Sequence, residues 1–223
     1  MQFNSQNIMP TGDVTAMDAG KSIITIGREY GSGGGDIGKA LAEKLGIPFY
    51  DKEILSLAAK ESGICEELFE NQDEKPVSSY LFAMTMGVSD MAQPSISDEM
   101  PLNHRIFMAQ FQAISRVAAQ GPCVIVGRCA NYVLKGQPNM ISLFLYADVD
   151  ARIERTMKKR GLSKAEAKDL VHKRDKQRQG YYNFFADGNW GHRSNYNLMF
   201  NTVGFTPQTA ADAIVAFIQS RSE

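Results

Sequence analysis

Short runs of apolar residues, rich in β-branched side chains, recur along the chain and predict buried strands. Runs of this length without polar alternation are typical of strands that are covered on both faces of a sheet. The five runs are SIITIG (22–27), IPFYD (47–51), PCVIVGR (122–128), MISLFLYA (140–147) and YNLMFNT (196–202).

Between these runs, apolar positions recur with the spacing of amphipathic helices. Ile37 and Leu41 belong to one such stripe, and Gly46 is placed to end that helix. A later helix begins with the capping pattern Ser163-x-x-Glu166, in which each side chain binds a backbone N–H of the first turn. The other predicted helices cover residues 52–62, 103–120, 148–161 and 206–220.

Strands that alternate with helices predict an α/β fold: a parallel sheet of about five strands with helices on both faces.

Two segments lack the periodicity of strands and helices. Residues 1–20 are polar and aperiodic, which is typical of a disordered N-terminal tail. Residues 71–102 mix Pro, Ser and Asp with a Met-rich apolar patch, and we interpret them as an insert. The folded domain is therefore expected to span residues 21–223.

Composition and charge narrow the possible partners. The chain has 223 residues and a net charge of −1, so no overall field attracts nucleic acid or an anionic membrane, and any anion site must be local. No apolar run approaches the length of a membrane span, and the N-terminus does not resemble a secretory signal. The three cysteines suggest no disulfide framework. A cytoplasmic protein with a small-molecule ligand is expected, without nucleic-acid or membrane partners.

The segment ITIGREYGSGGGDIGKALAEKL (24–45) places a glycine-rich loop between a strand and a helix. Such an arrangement points backbone N–H groups at an anion, and glycines let the backbone approach it closely. We therefore predict a phosphate cradle, with ATP as the expected nucleotide. The expected cofactor-binding residues are Gly27, Gly31, Ser32, Gly33, Gly34, Gly35 and Asp36.

The loop departs from the standard pattern G-x-x-x-x-G-K-[ST], whose lysine reaches the outer phosphates and whose hydroxyl binds magnesium. Matching the helices puts Gly34 at the lysine position and Asp36 at the Ser/Thr position. Arg28, at the strand end, is a candidate replacement for the missing cation, Lys39 is a second, and Asp36 is a candidate Mg²⁺ ligand. Alternatively, Asp36 caps the helix beside a tight turn, since an acid at a helix start satisfies the dipole itself.

Five segments in this order resemble the nucleoside monophosphate kinases and, within them, the cytidylate kinase-like family. GSGGGDIGKALAEKLGIPFYD is similar to the opening of cytidylate kinases, and GPCVIVGRCANYVL is similar to their strand followed by Gly-Arg-Asp. ISLFLYADVDARIERTMKKRG resembles the strand and helix that lead to the lid, HKRDKQR the lid stretch, and NLMFNT the final strand. The resemblance covers about residues 22–220, apart from 71–102. It implies a P-loop nucleotide kinase-like fold with a helical insert and a lid at about 155–195.

The resemblance also implies roles for single residues. Arg128 would bind the acceptor's phosphate, and Asp51 would face the acceptor nucleoside. Arg105 and Gln112 have the seven-residue spacing of an Arg and a Gln in the family's preceding helix and are expected to bind substrate. Together with Arg28, the expected catalytic residues are Arg128, Arg174 and Arg178, which would neutralise the transferring phosphoryl group. The family's Asp after Arg128 is Cys129 here, and the second Asp of the lid motif is absent.

The residues alone leave some of these assignments open. Arg174 and Arg178 are spaced i, i+4, which also fits a solvated charged helix face. The basic run MKKRG (157–161) is typical of a helix C-terminus. The aromatic residues at 181–185 fit core packing under the lid or stacking on a base. Arg128 follows a parallel strand, where α/β sheets bind their ligands.

Three functions remain as hypotheses. The first is a phosphotransferase that moves the γ-phosphate of ATP, with Mg²⁺, to a nucleoside monophosphate or another small acceptor. The second is a nucleotide- or phosphometabolite-binding regulatory protein that has lost catalysis. The third is an interaction module whose Met-rich 80–100 segment docks a partner or a second copy in a homodimer. The arginines favour the first hypothesis, and the missing lysine favours the second.

Overall fold

A five-stranded sheet forms the centre of the computed structural model, which describes residues 18–72, 102–186 and 188–221. The strands are β1 (Ile23–Arg28), β2 (Phe49–Tyr50), β3 (Cys123–Val126), β4 (Met140–Tyr146) and β5 (Leu198–Asn201). Their order is β2-β3-β1-β4-β5, and every neighbouring pair is parallel. The prediction of a parallel sheet of about five strands is therefore confirmed.

The helices of the described residues alternate with the strands. They are α1 (Gly34–Leu45), α2 (Glu53–Ser62), α3 (Glu66–Gln72), α4 (Leu102–Ala119), α5 (Ala130–Val133), α6 (Val149–Arg160), α7 (Lys164–Phe185) and α8 (Pro207–Gln219). The sequence pattern did not predict α3 and α5, because seven and four residues are too short to show a helical repeat. The capping box of Ser163 and Glu166 begins α7 as predicted.

Helices cover both faces of the sheet, as the continuous apolar strands required. On one face, Leu41 of α1 and Ile214 of α8 are fully buried against the strands. On the other face, Ile54 of α2 and Ile114 of α4 are fully buried in a second core. Each such aliphatic side chain contributes roughly 1.5–3 kcal/mol by leaving water. The two cores hold the carboxyl edge of the sheet in a fixed position.

The strand register places the end of β1 at that carboxyl edge. β1 pairs with β4 as far as Arg28 and Leu145, whereas its pairing with β3 ends at Ile26 and Val126. Arg28 therefore extends beyond β3 into the region where parallel sheets bind ligands. Arg128 was predicted to end its strand, but it lies two residues past β3, in a left-handed conformation with φ of 51°.

The described chain begins slightly before the predicted domain boundary. Ala19–Lys21 form a 3₁₀ turn, and Ala19 is buried in the first core, so residues 18–20 belong to the fold. The predicted tail otherwise lies outside the described residues. So does the predicted insert, except that residues 71–72 end α3 and residue 102 begins α4. Within the described ranges, no helix is long and apolar enough to cross a membrane.

Candidate functional site

A cavity of about 220 Å³ lies at the carboxyl end of β1. The glycine loop and the first turn of α1 form one side, and α6 and α7 form the other. Five cationic side chains line it against three acidic ones, which leaves an excess of positive charge. The cations are Arg28, Arg155, Lys159, Arg160 and Arg178, and the acids are Glu29, Asp36 and Asp51.

The loop's backbone conformation depends on two glycines. Gly31 and Gly33 have φ of 81° and 85°, values that residues with a Cβ rarely adopt. A Cβ at Gly31 would also lie 2.7 Å from the backbone oxygen of Arg152 on α6. Gly33 is the N-cap of α1, so the first N–H groups of that helix have no helical acceptor and face the cavity's end of the helix. The loop therefore has the form of an anion cradle.

The missing lysine has a steric explanation in the position of Arg28. A Cβ built on Gly34 would lie 2.7 Å from Cβ and 3.0 Å from Cγ of Arg28. The stem of Arg28 therefore occupies the space that a side chain at position 34 requires. Arg28 is itself largely buried, and it lines the cavity. One cation at the end of β1 thus excludes a second cation at the lysine position.

Two adjacent glycines give a matched test of this packing. Gly34→Ala is expected to lower the free energy of unfolding by about 1–2 kcal/mol, because overpacking against Arg28 forces a shift. Gly35→Ala is expected to leave stability unchanged or to raise it by up to about 1 kcal/mol, because alanine favours the helix. Its Cβ would meet Asp51 Oδ2 at 3.7 Å, an ordinary contact. Urea unfolding of both variants measures the difference, and equal effects would contradict the packing described.

Helix α6 supplies three cations that were not among the predicted site residues. Arg155 Nη1 donates to the backbone oxygen of Gly31 at 2.6 Å. Lys159 Nζ lies 2.9 Å from both carboxylate oxygens of Asp36, and Arg160 lines the cavity beside it. The run containing Lys159 and Arg160 indicates a helix C-terminus, and it does form the last turn of α6. The i, i+4 spacing of Arg155 and Lys159 was the available signal, but it does not reveal what the helix faces.

Arg178, one of the expected catalytic residues, lines the cavity. Its Nη1 donates to the backbone oxygen of Arg28 at 3.2 Å, and its guanidinium lies 5.5 Å from the centre of the Tyr30 ring. It therefore contacts the loop directly at the residue that ends β1.

A buried ion-pair network ties the glycine loop to α6 and α7. Arg152 of α6 is 7% exposed, with Nε 3.2 Å from Glu29 Oε2 and Nη1 paired to Asp175 of α7. Asp175 also accepts a 2.7 Å hydrogen bond from the backbone N–H of Tyr30. Burial raises the pKa of Glu29, against a backbone hydrogen bond from Ala147 and the charge of Arg152, which lower it. The network fixes α6 and α7 against the glycine loop.

The predicted metal ligand Asp36 has a cationic partner. Both of its oxygens are held by Lys159, so Mg²⁺ at Asp36 would displace or share this contact. The described residues contain no cluster of three or more potential metal ligands. Mg²⁺ does not need one, because it is usually bound through one or two carboxylates together with substrate phosphates. Asp36 and Asp51 are carboxylates lining the same cavity, which fits that mode of binding.

Asp51 and Arg128 form a pair at the rim of the sheet. Arg128 Nη1 donates to the backbone oxygen of Asp51 at 2.6 Å and lies 3.3 Å from Asp51 Oδ1. Arg128 is 2% exposed, whereas Asp51 is partly exposed and lines the main cavity. Arg28 Nη2 also lies 4.0 Å from Asp51 Oδ1. Arg128 thus holds Asp51 in place and does not line the main cavity.

Five other predicted residues lie away from this cavity. Ser32 is fully buried, and its hydroxyl donates to the backbone oxygen of Glu29 at 2.9 Å. Arg174 is exposed and donates to Gln177 on its own helix. Gln112 is exposed on α4, and Arg105 is half-buried there. Gly27 lines a second, smaller cavity. The substrate-binding roles of Arg105 and Gln112 remain predictions.

The aromatic residues at the end of α7 pack as a core. The rings of Phe107 and Phe185 stack with centroids 3.9 Å apart, and the Tyr181 hydroxyl donates to Gln110 Oε1 at 2.8 Å. This contact set supports the core-packing alternative for residues 181–185 and leaves Tyr181 and Tyr182 at the wall of the second cavity.

Comparisons with known proteins agree with this architecture. The chain is 29% identical to a cytidylate kinase from Pyrococcus horikoshii over 195 residues, 86% of this chain and 85% of that protein. It is 25% identical to a uronate isomerase from Corynebacterium glutamicum over 149 residues, and this match spans 29% of the isomerase. The isomerase match therefore concerns a minor part of that protein and carries no functional argument.

Solved structures show the same fold. An uncharacterized protein from Eubacterium ventriosum has a TM-score of 0.65 and 31% identity, covering 90% of this chain and 99% of that one. Shikimate kinase from Bacteroides thetaiotaomicron has a TM-score of 0.52 and 16% identity, covering 88% and 98%, which shows a likeness of fold alone. The family model described as "Cytidylate kinase-like family" matches residues 23–203. The chain, with its kinase-like sheet and lysine-free glycine loop, belongs to the cytidylate kinase-like family.

Proposed function

We propose that this protein is a phosphotransferase that moves the γ-phosphate of ATP to a nucleoside monophosphate or another small acceptor. The observation that carries the proposal is the position of Arg28, whose stem fills the lysine site and which lines the glycine-loop cavity. A scaffold that binds no phosphate group would not require a cation there. Membership of the cytidylate kinase-like family supports the same chemistry.

The residues of the cavity suit the phosphates of a nucleotide. The N–H groups at the start of α1 would bind phosphate oxygens, and Arg28, Arg155, Lys159 and Arg178 would neutralise their charge. Side chains at positions 31 and 34 would clash with Arg152 and Arg28, so the loop keeps the bare backbone that an anion can approach. Mg²⁺, when bound, would neutralise further phosphate charge, with Asp36 as the proposed carboxylate ligand.

Phosphoryl transfer requires little covalent chemistry from the protein, which acts mainly by positioning the reactants and stabilising charge. An ionised phosphate oxygen of the acceptor attacks the γ-phosphorus, the bond to the β–γ bridging oxygen breaks, and ADP leaves with that electron pair. No proton has to be removed from an acceptor of this kind. Arg28 and Arg178 would stabilise the charge spread over the transferring group, and the network around Arg152 would hold the donors in position.

Calorimetric titration with ATP, with and without Mg²⁺, tests the proposal. Binding in the micromolar range that requires Mg²⁺ is expected, followed by ADP formation when nucleoside monophosphates are supplied. ATP binding without transfer to any acceptor would favour the alternative, a regulatory nucleotide-binding protein. The absence of heat with ATP and of competition by ADP would contradict both.

A further inference from the structure

The guanidinium of Arg155 lies at the mouth of the glycine loop. Its Nη1 donates to the backbone oxygen of Gly31 at 2.6 Å. Nη1, Cζ and Nε lie 3.5, 3.6 and 3.8 Å from the position of a Cβ built on Gly33, so the flat face of the guanidinium is turned toward that residue. Gly33 is the N-cap of α1. Arg155 therefore occupies space directly over the start of the anion cradle.

This position is unfavourable for a cation. A helix N-terminus carries partial positive charge and stabilises anions. Among the described residues no carboxylate forms an ion pair with Arg155, and Asp36, the acid of the same helical turn, is paired with Lys159. The guanidinium is instead bonded to the neutral oxygen of Gly31. Because a phosphate oxygen makes a stronger, charge-assisted hydrogen bond, a phosphate at the start of α1 is expected to draw Arg155 away from Gly31.

Thr156, the next residue of α6, has a buried hydroxyl that no described residue satisfies. The residue is 3% exposed and lines the main cavity, and its Oγ1 makes no hydrogen bond with the described part of the chain. Oγ1 lies 3.0 Å from the position of a Cβ built on Gly31. A buried hydroxyl without a hydrogen bond costs free energy. Thr156 is therefore placed to bind Gly31 once the oxygen of that residue is released.

We propose that Thr156 is a positioning residue that replaces Arg155 on the glycine loop when a phosphate binds. The Arg155 guanidinium moves from the Gly31 oxygen to a phosphate oxygen, and the Thr156 hydroxyl donates to the oxygen that is released. Gly31, with φ of 81°, allows the peptide rotation that this exchange requires. The loop stays attached to α6 while the phosphate gains a cation. As a step toward transfer the exchange rests on the proposed function, but as a response to phosphate it does not.

Thr156→Ser and Thr156→Ala form a matched pair, because both lose the methyl group and only the first keeps the hydroxyl. The Tm of Thr156→Ala is expected to exceed that of Thr156→Ser, since the hydroxyl has no partner. Arg155→Met releases the Gly31 oxygen, to which the hydroxyl can then donate. In that background the Tm difference is expected to shrink by about 2–4 °C, the effect of one hydrogen bond. Helix propensity contributes equally in both backgrounds and cancels.

Lys158→Met is the control background for these Tm measurements. Lys158 is the next basic residue of α6 along the chain, but it is exposed and pairs with Glu154 on its own helix. The Tm difference between Thr156→Ser and Thr156→Ala is expected to be the same in this background as in the otherwise unchanged protein.

Calorimetric titration with inorganic pyrophosphate, without nucleotide or Mg²⁺, measures the exchange in the phosphate-bound state. Thr156→Ala is expected to bind pyrophosphate about fivefold more weakly than Thr156→Ser, because the complex gains a hydrogen bond only where the hydroxyl is present. A hydroxyl with a purely structural role would change Tm and leave the two pyrophosphate affinities equal.

Three results would overturn the proposal: no binding of pyrophosphate, equal pyrophosphate affinities of Thr156→Ser and Thr156→Ala, or a Tm difference between them that does not respond to Arg155→Met. The last would show that the hydroxyl does not reach the Gly31 oxygen. Because these measurements contain no nucleotide, they are independent of the ATP calorimetry. The expected pyrophosphate and Tm differences without ATP binding would remove the proposed function and support the exchange at the loop.

Discussion

Replacing Arg152 by methionine is expected to lower the free energy of unfolding by about 3–5 kcal/mol, the usual cost of removing one partner of a buried ion pair. The guanidinium contacts Glu29 and Asp175 and donates to the backbone oxygens of Ala147 and Tyr30. Without it, two carboxylates remain close together with side chains only 24% and 18% exposed. Equilibrium unfolding in urea measures the loss.

The loss of unfolding free energy in Arg152→Met is expected to become smaller as pH falls. Burial already raises the pKa of Glu29 above 4.5, and Arg152 lowers it, so the variant raises it further. A carboxyl whose folded pKa exceeds its unfolded value favours the folded state at low pH, and this contribution is lost as pH rises through the folded pKa. The difference between variant and wild type should therefore shrink as pH falls from 7 toward 4.5.

Lys158→Met is the matched control, since Lys158 lies on the same helix but pairs with Glu154 at the exposed surface. No measurable change in stability is expected there. If Arg152→Met proved as stable as Lys158→Met, the interior pairing of Glu29, Arg152 and Asp175 would be refuted.

Arg28→Ala is expected to weaken ATP binding by about 1–3 kcal/mol, roughly 5- to 150-fold. The reason is that Arg28 supplies the cation at the lysine position of the loop, where no other side chain fits. Isothermal titration of both proteins with ATP and Mg²⁺ gives the difference. Lys39→Ala is the control, because Lys39 is exposed and pairs with Glu43 on α1 away from the cavity.

Unchanged ATP affinity in Arg28→Ala would show that Arg28 does not replace the lysine. A double variant that moves the cation from position 28 to position 34 gives a stricter test of the steric explanation. Gly34→Lys alone should bind poorly because of the clash with Arg28, whereas Arg28→Gly with Gly34→Lys removes the obstructing stem and should regain part of the lost affinity. Strong binding by the single Gly34→Lys variant would contradict the steric explanation.

The sequence was sufficient to predict the sheet, because buried parallel strands are short apolar runs whose signal does not depend on distant residues. The ends of elements were less certain. Arg128 looked like a strand terminus, yet it turns left-handed after Val126 and becomes one of the most buried side chains. That outcome depends on Asp51, which is distant in sequence and accepts two of its contacts.

The cations of the candidate site were only partly predictable. Arg28 and Arg178 could be placed because each sits beside a recognisable motif. Arg155 and Lys159 could not, because a basic helix end has the same composition whether it meets solvent or a phosphate loop. Only the docking of α6 through Arg152 decides which side faces the loop.

The contact between Arg28 and position 34 also constrains how such a loop can change over generations. A lysine introduced at 34 collides with the arginine, and loss of the arginine first removes the cation that lies next to position 34. Under the proposed function, either order of single substitutions is expected to pass through a protein that binds ATP more weakly, so neutral single steps do not connect this loop with the lysine-bearing form. A lineage that carries Arg28 is therefore expected to keep it, and searches keyed to the lysine will pass over its members.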